Sequence, residues 1–328
     1  MRILVTGATG FAGGVFMRYL RDKFPDSDIA GTGRNKEKVR ELRDEGFQII
    51  TGALTDPGFI SRELGQFTHV VHSAARSSIW GRYTDFYRDN VELTKNLLNN
   101  IESLERFIYI STANIYFNFK DRINVKEDDP LPRKYVTWYP VTKLMGEKEV
   151  LNYHKRAIHT ISLRPRGIIG KGDTTSLPRV LRAYEEDKIK IIGSGKNIID
   201  FTSIKNLSHA VALSLTAGPE TSGQAYNISD GEAFGFWTLM DQTTKRLGYN
   251  KKIGKVPYPI VYLAATVSEL VARIKGGYEP SLTRYAAGVM KASFTLCNDK
   301  AREQLAYTPV ISSMDSINEF LEWYQADN

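Results

Sequence analysis

Tyr139-Pro140-Val141-Thr142-Lys143 places a phenol and an ammonium four residues apart. Pro140 is tolerated only in the first turn of a helix, so Tyr139 is expected to begin a helix that ends near Arg156. Positions i and i+4 share one helical face, which lets Lys143 stand beside the phenol. A phenol of pKa about 10 is a poor acid–base group at neutral pH until a nearby cation favours its phenolate. The pair could then give and take a proton. Upstream, Ser111-Thr112-Ala113-Asn114-Ile115-Tyr116 follows a short apolar run. Hydroxyls at the carboxyl end of a parallel strand face the crevice where ligands bind. Ser111 or Thr112 could donate a hydrogen bond to a substrate carbonyl oxygen, or could cap a turn.

A second constellation opens the chain: Thr6-Gly7-Ala8-Thr9-Gly10-Phe11-Ala12-Gly13. Gly7 permits a tight turn, Gly10 lets backbone approach a pyrophosphate, and Gly13 allows close helix–strand packing. The helix that follows would aim its free N–H groups and positive dipole end at the phosphates. In NAD-binding chains an acid about 20 residues on accepts hydrogen bonds from the ribose. Here Gly31-Thr32-Gly33-Arg34 occupies that region, followed by Asn35, Lys36 and Lys38, with no acid. A guanidinium can clamp a 2′-phosphate bidentately, so Arg34 points to NADP(H) as the preferred cofactor, with NAD(H) second.

The elements that must position these groups alternate. Short apolar runs recur at Ile3–Val5, Ile29–Gly31, Phe47–Ile50, His69–His72, Phe107–Ile110 and Thr160–Leu163, separated by amphipathic stretches such as Phe11–Lys23 and Asp85–Asn100. Runs apolar at consecutive positions suit strands covered on both faces, and strand–helix repetition gives a doubly wound parallel α/β sheet of Rossmann type. After Pro165 the rhythm breaks. Residues 1–165 are expected to bind the cofactor and 166–328 to form mainly a smaller, mixed, mostly helical substrate lobe, with segments near 200–230, including Ala225–Ile228, returning to the sheet.

Composition narrows the class. The 328 residues carry 44 Lys+Arg against 37 Asp+Glu, are 42% hydrophobic and include one cysteine, Cys297. This excludes a disordered chain, a collagen-like fibre and a disulfide scaffold. The lone thiol suits a reducing compartment, no signal peptide leads, and a cytoplasmic location is expected. Basic residues are interleaved with acids, as in Glu147-Lys148-Glu149, which reads as a solvated helix face rather than a nucleic-acid surface. His69, His72, His154, His159 and His209 are scattered, so no metal site is expected. The apolar stretch Ile260–Ile274 is shorter than the ~20 residues of a spanning helix and carries Glu269 and Arg273. It reads as a buried or crevice-lining helix, with a membrane-surface helix as the alternative and no stable insertion. Trp80-Gly81-Arg82-Tyr83 either edges a substrate cleft or packs a loop.

The ordered set Thr6–Gly13, Thr51–Asp56, His72–Ala75, Asn90-Val91, Ser111–Tyr116, Tyr139–Lys143 and Leu163-Arg164-Pro165 resembles the extended short-chain dehydrogenase/reductases over nearly the whole chain. The resemblance implies that Tyr139 is the acid–base group, Lys143 its partner that also holds the ribose, and Thr112 the substrate-orienting hydroxyl. It implies cofactor contacts at Thr9, Phe11, Ala12, Asn35, Leu54, Ser73, Ala74, Ala75, Asn90 and Ser111, and at Pro165, Gly167 and Ile168 beside the nicotinamide. Trp80, Asn114 and Arg166 are the candidate substrate residues. Ala53 stands where an acid often touches adenine, and Arg164-Pro165-Arg166-Gly167 replaces the Asn usual in the sugar-nucleotide branch. The pattern is closer to 3-beta-hydroxysteroid dehydrogenase-like and beta-keto-acid reductase members. They act on large apolar carbonyl or alcohol substrates. The expected activity is NADP(H)-dependent interconversion of a ketone and a secondary alcohol on such a small molecule, with a homodimer left open. The rivals are a nucleotide-sugar epimerase or dehydratase and a non-catalytic dinucleotide sensor, the latter opposed by intact Thr112, Tyr139 and Lys143.

Overall fold

The computed structural model describes residues 1–154, 158–174, 177–249, 251–276 and 278–327. Seven parallel strands form the main sheet: β1 (Arg2–Thr6), β2 (Asp28–Thr32), β3 (Gln48–Ile50), β4 (His69–His72), β5 (Arg106–Ile110), β6 (His159–Pro165) and β7 (Gln224–Ile228). Their spatial order is β7-β6-β5-β4-β1-β2-β3, with Val5 of β1 paired to both Gly31 and Val71. The chain leaves β1 toward β2 and β3, then returns to β4 on the other side. The reversal opens a crevice at the carboxyl ends of β1 and β4. Alternation along the strands builds two cores. Ile3, Val5, Ile108 and Ile161 pack with Phe16, Leu20, Leu207 and Val211 on one face. Leu4, Val70 and Phe107 pack with Leu64, Leu97 and Val150 on the other.

The Phe11–Lys23 helix has the bounds its pattern suggests, because Phe16, Met17 and Leu20 must share one buried face. The amphipathic stretch Asp85–Asn100 is helical throughout, running as Tyr83–Tyr87, a π-helical turn at Arg88–Glu92, and Leu93–Asn100. The wider turn carries buried Asn90, whose side chain reaches out of the helix to the loop after β4. A four-stranded sheet, Phe234–Gly235, Ile198–Ile199, Phe294–Leu296 and Arg122–Val125 in that order, forms beside the carboxyl edge.

Two expectations are corrected. The apolar stretch 260–274 does form a helix, Tyr258–Lys275, but it is neither buried nor mainly lining a crevice. Val261, Ala265, Glu269 and Ala272 make a narrow stripe against the protein, while Ile260, Leu263, Val267, Leu270 and Ile274 are exposed. Small residues allow the close approach, and Glu269 is fixed by Arg284 at 2.7 Å, so the bulky side chains point outward. Among the described residues no helix is long and apolar enough to cross a membrane. The second correction is Glu147, read as part of a solvated face and found 1% exposed.

Candidate active site

Gly7 follows β1 with φ +71°, a left-handed conformation that favours glycine. A Cβ there would lie 2.9 Å from Ala74 Cα, and one on Gly13 would lie 2.2 Å from the Gly7 carbonyl oxygen. The turn, the helix start and the loop after β4 are therefore packed backbone against backbone. Gly10 N donates to Gly7 O at 2.9 Å. Thr9, Phe11 and Ala12, all partly buried, complete the turn. No side chain caps the helix N-terminus and no acid sits in its first turn, so its N–H groups and dipole are left for an anion. Ser73 Oγ donates to Thr6 O at 2.6 Å and Ala74 N to Thr6 Oγ1 at 3.2 Å, while Ala75 is exposed. His72 is buried between Thr6 Oγ1 and Thr94 Oγ1, a packing role. This cradle fits the pyrophosphate of a dinucleotide.

Arg34 lies exposed just past β2 and forms no ion pair with any described residue. Asn35 caps the next helix, its Oδ1 accepting from Lys38 N at 3.1 Å. Leu54 is buried in the second core, and Ala53 beside it is exposed. Asn90 joins the loop after β4 to the helix that carries Tyr139 and Lys143: its Oδ1 accepts from Arg76 N at 2.7 Å and its Nδ2 donates to Thr142 Oγ1 at 2.9 Å.

The helix carrying Tyr139 and Lys143 runs Trp138–Tyr153, so it starts one residue before Tyr139; its expected end at Arg156 lies outside the described residues. Pro140 occupies the first turn, where its missing N–H has no helical acceptor to lose. Thr112 follows Ser111 at the end of β5, and Ser111 N donates to Leu163 O of β6 at 2.7 Å. Thr112 Oγ1 accepts from Asn114 N at 3.2 Å, which leaves its own proton to give. Burial raises the Tyr139 pKa, and a hydrogen bond from Thr112 works against that rise. Lys143 is 2% exposed, and its Nζ lies 3.9 Å from the centre of the Tyr109 ring. Burial drives its pKa down to about 7, opposed by the negative charge of Glu147.

Glu147 and its partner Arg164 are absent from the expected site. Glu147 is one turn past Lys143 and two past Tyr139, a stripe the i, i+4, i+8 spacing contains. Arg164 comes from β6 and meets it at 2.6 Å, and Ser162 Oγ adds a bond at 2.8 Å. Tyr116 and the Glu127 carbonyl accept from the same guanidinium.

On the substrate side, Trp80 lies under the Arg273 guanidinium of the Tyr258–Lys275 helix, 5.7 Å from the ring centre. Asn114 is partly buried in the short turn after Thr112. Pro165 ends β6; Gly167 O accepts from Thr202 N at 3.0 Å, and Ile168 pairs with Thr202. Arg166 stands between them with its side chain 9% exposed, against Asp200 at 3.4 Å and over the Phe294 ring at 4.5 Å. Tyr285 joins Phe117 in an apolar cluster; burial raises its pKa and the Arg166 charge opposes the rise. Neither Tyr285 nor Asp200 has a local sequence signal; both lie far along the chain from Tyr139.

The description "NAD dependent epimerase/dehydratase family" matches residues 3–229. The chain is 30% identical over 338 residues to sterol-4-alpha-carboxylate 3-dehydrogenase, decarboxylating, of Schizosaccharomyces pombe, covering 99% of this chain and 98% of that one. It is 28% identical over 322 residues to 2-alkyl-3-oxoalkanoate reductase of Stenotrophomonas maltophilia, covering 95% and 96%. In fold it is similar to UDP-glucuronic acid 4-epimerase of Bacillus cereus in complex with NAD, with TM-score 0.76, 24% identity and 99% of each chain covered. By this match and the residues it spans, the chain belongs to the NAD dependent epimerase/dehydratase family, the extended short-chain dehydrogenase/reductases.

Proposed function

We propose that the protein is an NADP(H)-dependent oxidoreductase that interconverts a ketone and a secondary alcohol on a bulky, largely apolar substrate. The observation that carries this reading is the assembly of Thr112 and Tyr139, with Lys143 one helical turn on, at the carboxyl edge of the sheet that also carries the glycine cradle. Residues 1–165 would hold the cofactor through the cradle, Arg34 and Lys143, and residues 166–328 would supply most of the substrate lobe. A bound dinucleotide supplies or accepts the hydride at the reacting carbon.

The chain's own residues handle the proton. In reduction Thr112 donates a hydrogen bond to the carbonyl oxygen, and Tyr139 passes its proton to that oxygen as the carbon becomes a secondary alcohol. In oxidation the Tyr139 phenolate takes the hydroxyl proton. Lys143 favours the phenolate whenever it is charged. Phe117, Phe119, Val136 and Tyr285 offer apolar walls nearby. In both relatives the reacting carbon has a carboxylate on its neighbour: position 3 beside a 4-carboxylate in the sterol dehydrogenase, and a 3-oxo group in an alkanoate in the reductase.

Cofactor absorbance tests the reading, with branched long-chain ketones, sterol ketones and nucleotide sugars offered in parallel. Oxidation or reduction of an apolar substrate is expected. Tight binding of UDP to the protein–NADP complex, with no turnover of any ketone, would promote the epimerase or dehydratase reading instead.

A further inference from the structure

Arg166 leaves the carboxyl end of β6, next to β5, which ends at Ile110 two residues before Thr112, so both side chains arise at the same edge of the sheet. Its backbone is fixed: Arg166 N donates to Thr202 Oγ1 at 2.8 Å. Its guanidinium is held by an ion pair and by stacking on Phe294, not by hydrogen bonds. Nε is buried without a hydrogen-bond partner, and no described residue accepts from the Nη groups. Among the described residues its ion-pair partner is Asp200, whose Oδ1 stands 3.4 Å from Nε and is itself without a hydrogen bond. Asp200 is held in place by Leu296 N, which donates to its Oδ2 at 2.8 Å.

A guanidinium has five donors in a rigid fork, and burying it with its donors unused is unfavourable. Buried polar groups are normally satisfied, so an exception asks for a ligand. Asp200 faces the Nε edge, leaving the opposite edge free for a planar anion. The surroundings are apolar: Phe294 lies beneath the guanidinium, Phe117 is 6.4 Å from Phe294, and Tyr285 is 5.6 Å from Phe117. Arg166 and Thr112, the latter hydrogen-bonded to Tyr139, follow neighbouring strands of the main sheet. One cation in an apolar enclosure near the acid–base group suits a substrate with one anion and a large apolar body. A diphosphate would need more donors than this group offers.

We propose that Arg166 is the specificity residue that binds a substrate carboxylate end-on through its Nη edge, with Asp200 orienting the fork. The substrate class is then a 3-hydroxy or 3-oxo acid with a bulky apolar portion. This rests on the oxidoreductase reading above.

The test compares three alcohols with NADP+: a long-chain 2-alkyl-3-hydroxy acid, its methyl ester, and the same secondary alcohol without the carboxyl group. The wild type should favour the acid over the ester by about 10- to 150-fold in kcat/KM, the range of a charge-assisted bidentate contact. In Arg166→Gln that preference should collapse. The double variant Arg166→Gln/Asp200→Asn leaves no buried lone charge and should lose the preference equally, which guards against a merely misfolded single variant. Calorimetric titration of the acid into the protein–NADP+ complex gives a readout that needs no turnover. Equal use of acid and ester by the wild type, or a preference that survives in the double variant, would overturn the proposal while the oxidoreductase reading stands. Arg166-dependent binding of the acid with no oxidation of any alcohol would support the carboxylate site and overturn the oxidoreductase reading.

Discussion

Glu147 and Arg164 lock together through two hydrogen bonds, Nη2 to Oε1 at 2.6 Å and Nε to Oε2 at 2.9 Å, one helical turn past Lys143. Burial alone would push the Glu147 carboxyl up; the guanidinium outweighs it and holds the carboxyl below its ordinary range. A permanent negative charge is thereby kept on the stripe that carries Lys143. Lys143, at about 7, is balanced between charged and neutral forms near neutral pH, and Glu147 opposes its deprotonation.

The first prediction follows. In the oxidation direction the working form of Tyr139 is the phenolate, which a charged Lys143 favours. Glu147→Gln removes the charge that helps keep Lys143 protonated, so the rising limb of the pH–rate profile should move to higher pH. Breaking a buried pair also destabilises, by about 3–5 kcal/mol, so a lower melting temperature is expected alongside. A profile that keeps its shape while only stability falls would make the pair purely structural.

Gly13→Ala should weaken cofactor binding. Its Cβ would stand 2.2 Å from Gly7 O and 2.7 Å from Gly7 C, contacts that only a backbone shift can relieve. Overpacking of this kind typically costs about 1–3 kcal/mol. The shift falls on the turn that would hold the pyrophosphate. Dinucleotide titration by fluorescence, with a thermal melt beside it, measures both effects. Wild-type affinity in a folded variant would show that the cradle does not meet the phosphates.

Much of this was legible from local chemistry. Gly7, Gly10 and Gly13 announce a backbone turn because their spacing leaves no side chain to pack, and the apolar runs announce covered strands. Tyr139 and Lys143 are legible because helical geometry alone brings them to one face. Glu147 was hidden because an acid between Lys143 and Lys148 looks solvated until Arg164, 17 residues on and in another element, comes to meet it. Arg166 and Asp200 are likewise made neighbours only by the topology. The outward face of the Tyr258–Lys275 helix was illegible for the opposite reason: an apolar side chain carries no sign of whether a partner covers it.

Tyr139→Phe keeps the ring and deletes the proton donor. Turnover should fall by about 10²–10⁴, the range of a positioned general acid or base. Cofactor affinity should hold, because the glycine cradle is untouched. Stopped-flow turnover with an equilibrium titration separates the two quantities. Near-normal turnover would remove Tyr139 from the chemistry.

Arg34→Ala addresses the choice of dinucleotide. Arg34 is exposed just past β2, with no acid in the Gly31–Arg34 segment where an acid would select the ribose hydroxyls. Nearby Lys38 is engaged by Glu41 at 2.6 Å, whereas Arg34 and Lys36 have no ion pair with any described residue, and Arg34 alone of the two offers a fork for a 2′-phosphate. Losing a charge-assisted bidentate contact costs about 1.5–3 kcal/mol, or roughly 10- to 150-fold in affinity. The exposed position puts the expected loss toward the lower end of that range, and added salt should shrink it further. NADH lacks the 2′-phosphate, so its affinity should barely change. Titrating NADPH and NADH into both proteins, at low and high salt, reads the difference directly. Equal losses for the two cofactors would make Arg34 an ordinary surface charge and return the cofactor preference to NAD(H).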